Sequence, residues 1–354
     1  MKNMNKNEMK NMFKQVFYPK KDERVLFLYD TPHDEINDSE VWIERRNMAQ
    51  EWYQTFKEMG EKEGYSVDII SYPATGLHNT ELPDEIVEMV KKANIVLALT
   101  EFSASHPLAR VIHKKDSVTR CASLPLVEQR MENTAFKVDY HRLQRDTQFF
   151  KNLLNESIGA NVRFSTGDSL FIDLRNRYNA LVDDGNCQKV GTLINLPSGE
   201  SYIAPYEAAE DERSEFGESQ TKGILPDYDS DEIIKYQVEN NKIINVKGKG
   251  KKAKKMRKCF DENPSRRNIA ELGIGCNPKA VVTGNPLEDE KVAGLHIAYG
   301  SSTALNGKTA SDLHIDICFP KDAPVSATSL VLIDEKNKKT EIINKHGLRY
   351  DLLE

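Results

Sequence analysis

Three short apolar runs, spaced by segments of helical periodicity, set the first constraint on what this chain can fold into. Arg24 to Tyr29 is mostly apolar and stops at Asp30. From Ser39 to Glu63 the residues Val41, Trp42, Met48, Trp52, Phe56 and Met59 recur at the spacing of an amphipathic helix. Tyr65 to Tyr72 reads as a strand, Pro83 opens a helix through Lys92, and Asn94 to Thr100 reads as a buried strand. Strand, helix and strand in succession predict parallel β-α-β units, and so an α/β domain built on a doubly wound parallel sheet. Gly60 and Gly64 fall at the first helix-to-strand turn, where left-handed backbone is wanted. No GxGxxG or GKS/GKT pattern follows the first strand, so nothing here points to a nucleotide.

Ser103, Ser105 and His106 lie just beyond the Asn94–Thr100 strand, at the end where α/β sheets bind ligands. The plainer reading makes them the cap and loop of the next helix. Arg142 to Glu156 has a helical pattern. From about Asn161 the texture changes, and short apolar runs alternate with Gly, Asn and Asp turns. These runs are Val162–Thr166, Ser169–Leu174, Gly191–Leu196, Tyr202–Ala204, Gly294–Tyr299 and Leu313–Phe319. Leu330–Asp334 and Lys339–Ile343 face each other across a polar turn, as a hairpin does. Two domains are expected: a Rossmann-like α/β domain over residues 1–158 and an α+β domain over 159–354 that carries the chemistry.

The formal charge of −6 argues against a general nucleic-acid binder. One run opposes it: eight of the twelve residues from Lys247 to Lys258 are Lys or Arg. Without interleaved aromatics it reads as a solvated hairpin tip and helix face. The amino terminus has lysines but no apolar core of a leader, and no run nears the ~18 apolar residues of a membrane span. A cytoplasmic protein without membrane or nucleic-acid partners is expected. The five cysteines have no CxxC spacing, so any metal chemistry rests on His, Asp and Glu.

Four patches in the second half carry that chemistry. Glu200 follows a Pro/Gly turn and enters an apolar run, and Glu271 is embedded in the apolar, Gly-rich stretch AELGIG. Glu290 precedes a short apolar strand containing His296. His314 and Asp316 stand two apart on another apolar strand, so both project from one face. An imidazole and a carboxylate side by side in an apolar strand are costly to bury alone, and a divalent metal is a natural partner. Imidazole with several carboxylates suits Zn, Co, Mn or Fe, and a carboxylate can bridge two ions. Against this stands the ordinary alternative of core-satisfied His and turn-forming Glu.

The ordered set NLPSGE, AELGIG, an acidic segment, GxxHIAxG and HxD resembles the aminopeptidase T-like family of thermophilic metallo-aminopeptidases, most strongly over residues 191–320. TEFSAS and TRCASLP in the first half look like that family's strand-end loops. The resemblance implies a two-domain, dimeric intracellular aminopeptidase. It places Glu200, Glu271, His296, His314 and Asp316 on metal-ligand positions, with Glu290 a further acidic member. It also implies two divalent ions per chain, Zn, Co or Mn, a short peptide as substrate, and Glu271 as the proton shuttle. Where the family has a Tyr seven residues after the His this chain has Thr303, and Tyr299 on a strand turns away from the site. The same residues allow two other readings. One is an iron(II) ring-cleaving dioxygenase of the same fold, with His296, His314 and Asp316 as ligands. The other is a metal-binding protein without catalysis, acting through Lys247–Lys258.

Overall fold

The computed structural model describes residues 4–33, 35–229 and 232–353. In chain order the first elements are α1 (Lys6–Phe17), β1 (Arg24–Thr31), α2 (Glu40–Glu63), β2 (Ser66–Pro73), α3 (Asp84–Lys92), β3 (Ile95–Thr100), α4 (Ser105–Ile112), β4 (Arg120–Pro125) and α5 (Tyr140–Asn155). Next come β5 (Ser157–Phe164), β6 (Ser169–Asp173), β7 (Leu181–Asp183), β8 (Leu193–Asn195), β9 (Glu200–Ile203) and α6 (Glu210–Phe216). They are followed by β10 (Lys222–Asp229), β11 (Glu232–Glu239), β12 (Lys242–Lys247), α7 (Lys251–Glu262), β13 (Ile269–Gly275), α8 (Pro286–Asp289) and β14 (Gly294–Gly300). The chain finishes with β15 (His314–Pro320), β16 (Ala327–Asp334), β17 (Lys339–Asn344) and β18 (Gly347–Leu348). It divides into two compact units. One comprises residues 1–144, 183–199 and 277–288, and the other 145–182, 200–276 and 289–354.

The first unit holds the parallel sheet, in the order β2-β1-β3-β4-β8. Alternation along its strands supplies both faces with apolar side chains. Leu26, Leu28, Val96 and Ala98 pack with Ile86 and Val90 of α3 and with Leu108 and Ile112 of α4. Phe27 packs instead on Phe56 of α2, whose ring lies 4.3 Å from Phe13 of α1. Helix α2 starts where Ser39 Oγ accepts the Trp42 amide hydrogen bond, and stops at Gly64, with φ of 85°. Gly60 serves differently from the sequence expectation. It is helical, and a Cβ there would meet the Tyr65 carbonyl oxygen at 2.5 Å. Ser103 and Ser105 do lie past β3. Ser103 Oγ hydrogen-bonds Ser105 Oγ at 3.2 Å, and Ser105 Oγ hydrogen-bonds Ser123 Oγ at 2.9 Å.

The second unit is built on antiparallel pairings. One sheet has eight strands in the order β12-β11-β10-β6-β5-β16-β17-β18, and another runs β15-β14-β13-β9-β7. The expected hairpin is the β16–β17 pair. The basic run divides between the end of β12, a Gly-Lys-Gly turn and helix α7, whose Ala253, Met256 and Phe260 are buried. No helix among the described residues is long and apolar enough to cross a membrane.

Candidate metal centre

Strands β9, β13, β14 and β15 present one polar face. The antiparallel register sets Glu271 opposite Ala298 and Ala298 opposite Asp316, with Gly273 opposite His296 and Gly300 opposite His314. Glu200 pairs with Gly275. Directly paired residues point to the same side of a sheet, so the face alternates functional groups with Gly and Ala. The small residues make the room. A Cβ on Gly273 would lie 1.8 Å from His296 Nε2, so the imidazole occupies the volume any other residue would fill. The opposite face carries Leu272, Ile274, Leu295 and Ile297, all buried. Tyr299 points that way too, its ring 5.4 Å from Phe260 and 5.9 Å from Tyr236.

The carboxylate of Glu271 is the hub. His296 Nε2 lies 3.0 Å from its Oε1, and His314 Nε2 lies 3.1 Å from its Oε2. Glu200 Oε2 is 3.3 Å from His296 Nε2, and Asp316 Oδ1 is 3.7 Å from His314 Nε2. Two groups of donors gather within 4.8 Å: Glu200, Glu271 and His296, and then Glu271, His314 and Asp316. Glu271 belongs to both groups, with His296 in the first and His314 and Asp316 in the second. Glu290 stands outside both groups, its Oε1 accepting from Lys291 Nζ at 2.7 Å. Thr303, at the family's Tyr position, is exposed beside Ser301.

Burial alone would raise the Glu271 carboxyl, but hydrogen bonds from the two imidazoles hold it at about 2. Burial opposes charge on both histidines, yet both lie above the ordinary value. For His296 the Glu271 hydrogen bond overcomes it, and for His314 the Asp316 charge does so first. Burial pushes Glu290 up to about 7 against the pull of Lys291. The donor set fits a divalent cation: imidazole and carboxylate atoms gather on one face, Glu200, Glu271 and His296 buried, Asp316 partly buried and His314 open to solvent.

Outer contacts aim the imidazoles. The Ser301 carbonyl lies 2.7 Å from His314 Nδ1 and can only accept, so Nδ1 carries hydrogen and Nε2 faces the carboxylates. The loop bearing Ser301 is pinned by Glu207, which is buried and accepts from Asn268 Nδ2 and Ser302 Oγ, each at 2.7 Å. Neither Glu207 nor Lys291 is evident in the sequence, because each sits in an acidic stretch that looks like solvated surface. Lys291 is fully buried, with its Nζ on both Glu200 and Glu290.

No family model matches the chain. No curated protein matches it. Among solved structures it is similar to the 2,5-dihydroxypyridine dioxygenase of Pseudomonas putida KT2440. The likeness covers 98% of each chain, at a TM-score of 0.68 and 14% identity. That neighbour is an oxygenase, and it overturns the expectation that this chain is a metal-dependent aminopeptidase. The aminopeptidase, metalloprotease and hydrolase readings are withdrawn. The resemblance behind them rested on the ordered motifs NLPSGE, AELGIG, GxxHIAxG and HxD, and the carboxylates and imidazoles they carry do not by themselves distinguish hydrolysis from oxygenation. What the likeness establishes for this chain is its mixed α/β fold, with a five-stranded parallel sheet beside antiparallel ones.

Proposed function

We propose that this chain is an iron(II)-dependent dioxygenase that opens a dihydroxylated aromatic or N-heteroaromatic ring. The observation that carries the reading is that both imidazoles lie within hydrogen-bond distance of the Glu271 carboxylate, with Asp316 in the same donor group as His314, on one face of the sheet. Two His and one carboxylate are the ligand set used by non-haem iron oxygenases. The fold shared with a dihydroxypyridine dioxygenase supports the same choice. His296, His314 and Asp316 would hold the metal, with Glu271 beside them. Bound iron(II) supplies the chemistry that brings oxygen into reaction with an electron-rich ring. The protein's own part is to aim and to shield. The Ser301 carbonyl fixes His314, the cleft above Gly273 fixes His296, and burial of Glu271 and His296 keeps bulk water off these donors.

The test is oxygen consumption by anaerobically purified, iron-loaded protein offered dihydroxypyridines and catechols. Uptake that needs iron(II) and falls at least ~100-fold in His314→Ala, with loss of bound iron, is expected. Iron-loaded wild type that consumes no oxygen on any dihydroxylated ring would sink the proposal.

A further inference from the structure

Lys291 lies inside the candidate metal centre and is 0% exposed. A lysine is almost never buried so completely unless its charge is matched. Here the ammonium contacts Glu200 Oε1, on the strand that opens the donor face, and Glu290 Oε1 at 2.7 Å. The remaining oxygen of Glu200 faces His296 at 3.3 Å. The placement is built into the backbone. A Cβ on Gly275 would fall 2.6 Å from the Glu290 carbonyl oxygen and 2.2 Å from that of Val292. Only glycine lets the stretch Glu290–Val292 cross so close to β13, and that crossing delivers Lys291 to Glu200, the register partner of Gly275.

The face offers two donor groups that share Glu271, which is the arrangement two bridged cations would use. The two groups are not equivalent. On the His314 and Asp316 side the ion pairs join the imidazole to Glu271 and Asp316, whereas Glu200 on the other side already has an ammonium on one oxygen. A divalent ion bound there would stand one carboxylate away from a buried like charge, where screening by water is weak.

We propose that Lys291 is an internal cation standing in for a second metal, so that the cluster takes one divalent ion rather than two. Lys291 is a positioning residue: it holds Glu200 and Glu290 as a neutralised wall and leaves Glu271, His296, His314 and Asp316 to the single ion. The inference rests on the reading that this cluster binds a metal, and says how many.

The experiment is anaerobic titration of metal-stripped protein with iron(II), and with manganese(II) as a redox-inert probe, read by calorimetry and by elemental analysis after gel filtration. Wild type should take up about one equivalent per chain. Lys291→Met, which keeps the length of the side chain and removes its charge, should take up about two, because Glu200 and Glu290 are left uncompensated. Circular dichroism checks that the variant is folded. Two equivalents in wild type would overturn the role of Lys291 while leaving the metal centre intact, and this arm needs no variant. A folded Lys291→Met that still binds one equivalent would overturn it as well. No uptake by either protein would remove the metal reading and the inference together.

Discussion

A buried imidazole is held by what surrounds it, and at His296 what surrounds it is the missing side chain of Gly273. An added methyl group would need the volume within 1.8 Å of Nε2. Gly273→Ala should therefore push the ring off Glu271, weakening metal binding by at least ~10-fold. It should also cost roughly 1–3 kcal/mol of stability, as overpacking usually does. Chelator competition and thermal melting measure both, and an alanine variant with wild-type affinity would place the imidazole elsewhere. A second buried group makes the protein's stability depend on pH. Burial pushes the Glu132 carboxyl up to about 7, although Trp52 Nε1 donates to it at 2.8 Å. A carboxyl raised on folding binds its proton more tightly in the native state. Stability should then fall as pH climbs from about 4.5 to about 7 and level off above. The loss is on the order of 1–3 kcal/mol. Glu132→Gln should flatten that slope in denaturant titrations at pH 5 and pH 8, and an unchanged slope would show that other groups set it. The sequence made the donors at the metal centre visible, because Glu271, His296, His314 and Asp316 are polar interruptions of apolar strands. It hid Lys291 and Glu207, since burial of a charge in an acidic turn is decided by tertiary packing.

At the level of elements, periodicity located what has a clean period. β1, α2, β2, α3, β3 and α5 sit within a few residues of their apolar patterns, as do β14, β15 and the β16–β17 hairpin. β4 escaped notice because Arg120 and Ser123 break its apolar run, yet both are buried, Arg120 donating to Glu23 and to the Phe17 carbonyl. β10 to β12 escaped for a related reason: their exposed Lys, Asp and Glu residues read as surface between turns. The basic run shows the limit of a charge count. Lys251, Lys254, Lys255 and Lys258 of α7 are exposed, but Lys252 is half-buried and donates to Asp227 Oδ1 at 2.7 Å. Asp227 in turn accepts from Tyr236 Oη at 2.8 Å. Replacing the four exposed lysines with Gln should move stability by no more than ~0.5 kcal/mol. Lys252→Gln alone should cost about 1–2 kcal/mol, because it leaves a nearly buried carboxylate short of its cation. Chemical denaturation of the two variants ranks them, and equal costs would show the Lys252 pair to be as inconsequential as a surface one.

Across the whole molecule, metal binding and folding must be linked, because the donors come from four strands far apart in the chain. Glu200, Glu271, His296 and the His314/Asp316 pair meet only when β9, β13, β14 and β15 are in register. An unfolded chain offers no such set, so a metal binds the native state almost exclusively and stabilises it by mass action. At a free metal concentration one hundred times the dissociation constant the gain is about 2.7 kcal/mol. All of these residues lie in the unit that comprises 145–182, 200–276 and 289–354. The gain should therefore appear as slowed amide exchange in β9 and β13–β15. The parallel strands β1–β4, which supply none of the donors, should exchange at unchanged rates. Affinity should rise with pH through neutrality, since both histidines titrate above their ordinary value and must shed a proton to become ligands. Hydrogen exchange with and without manganese(II), at pH 6.5 and pH 8, tests both statements. Protection spread evenly over both units, or affinity that does not increase between the two pH values, would mean that the metal binds somewhere other than these strands.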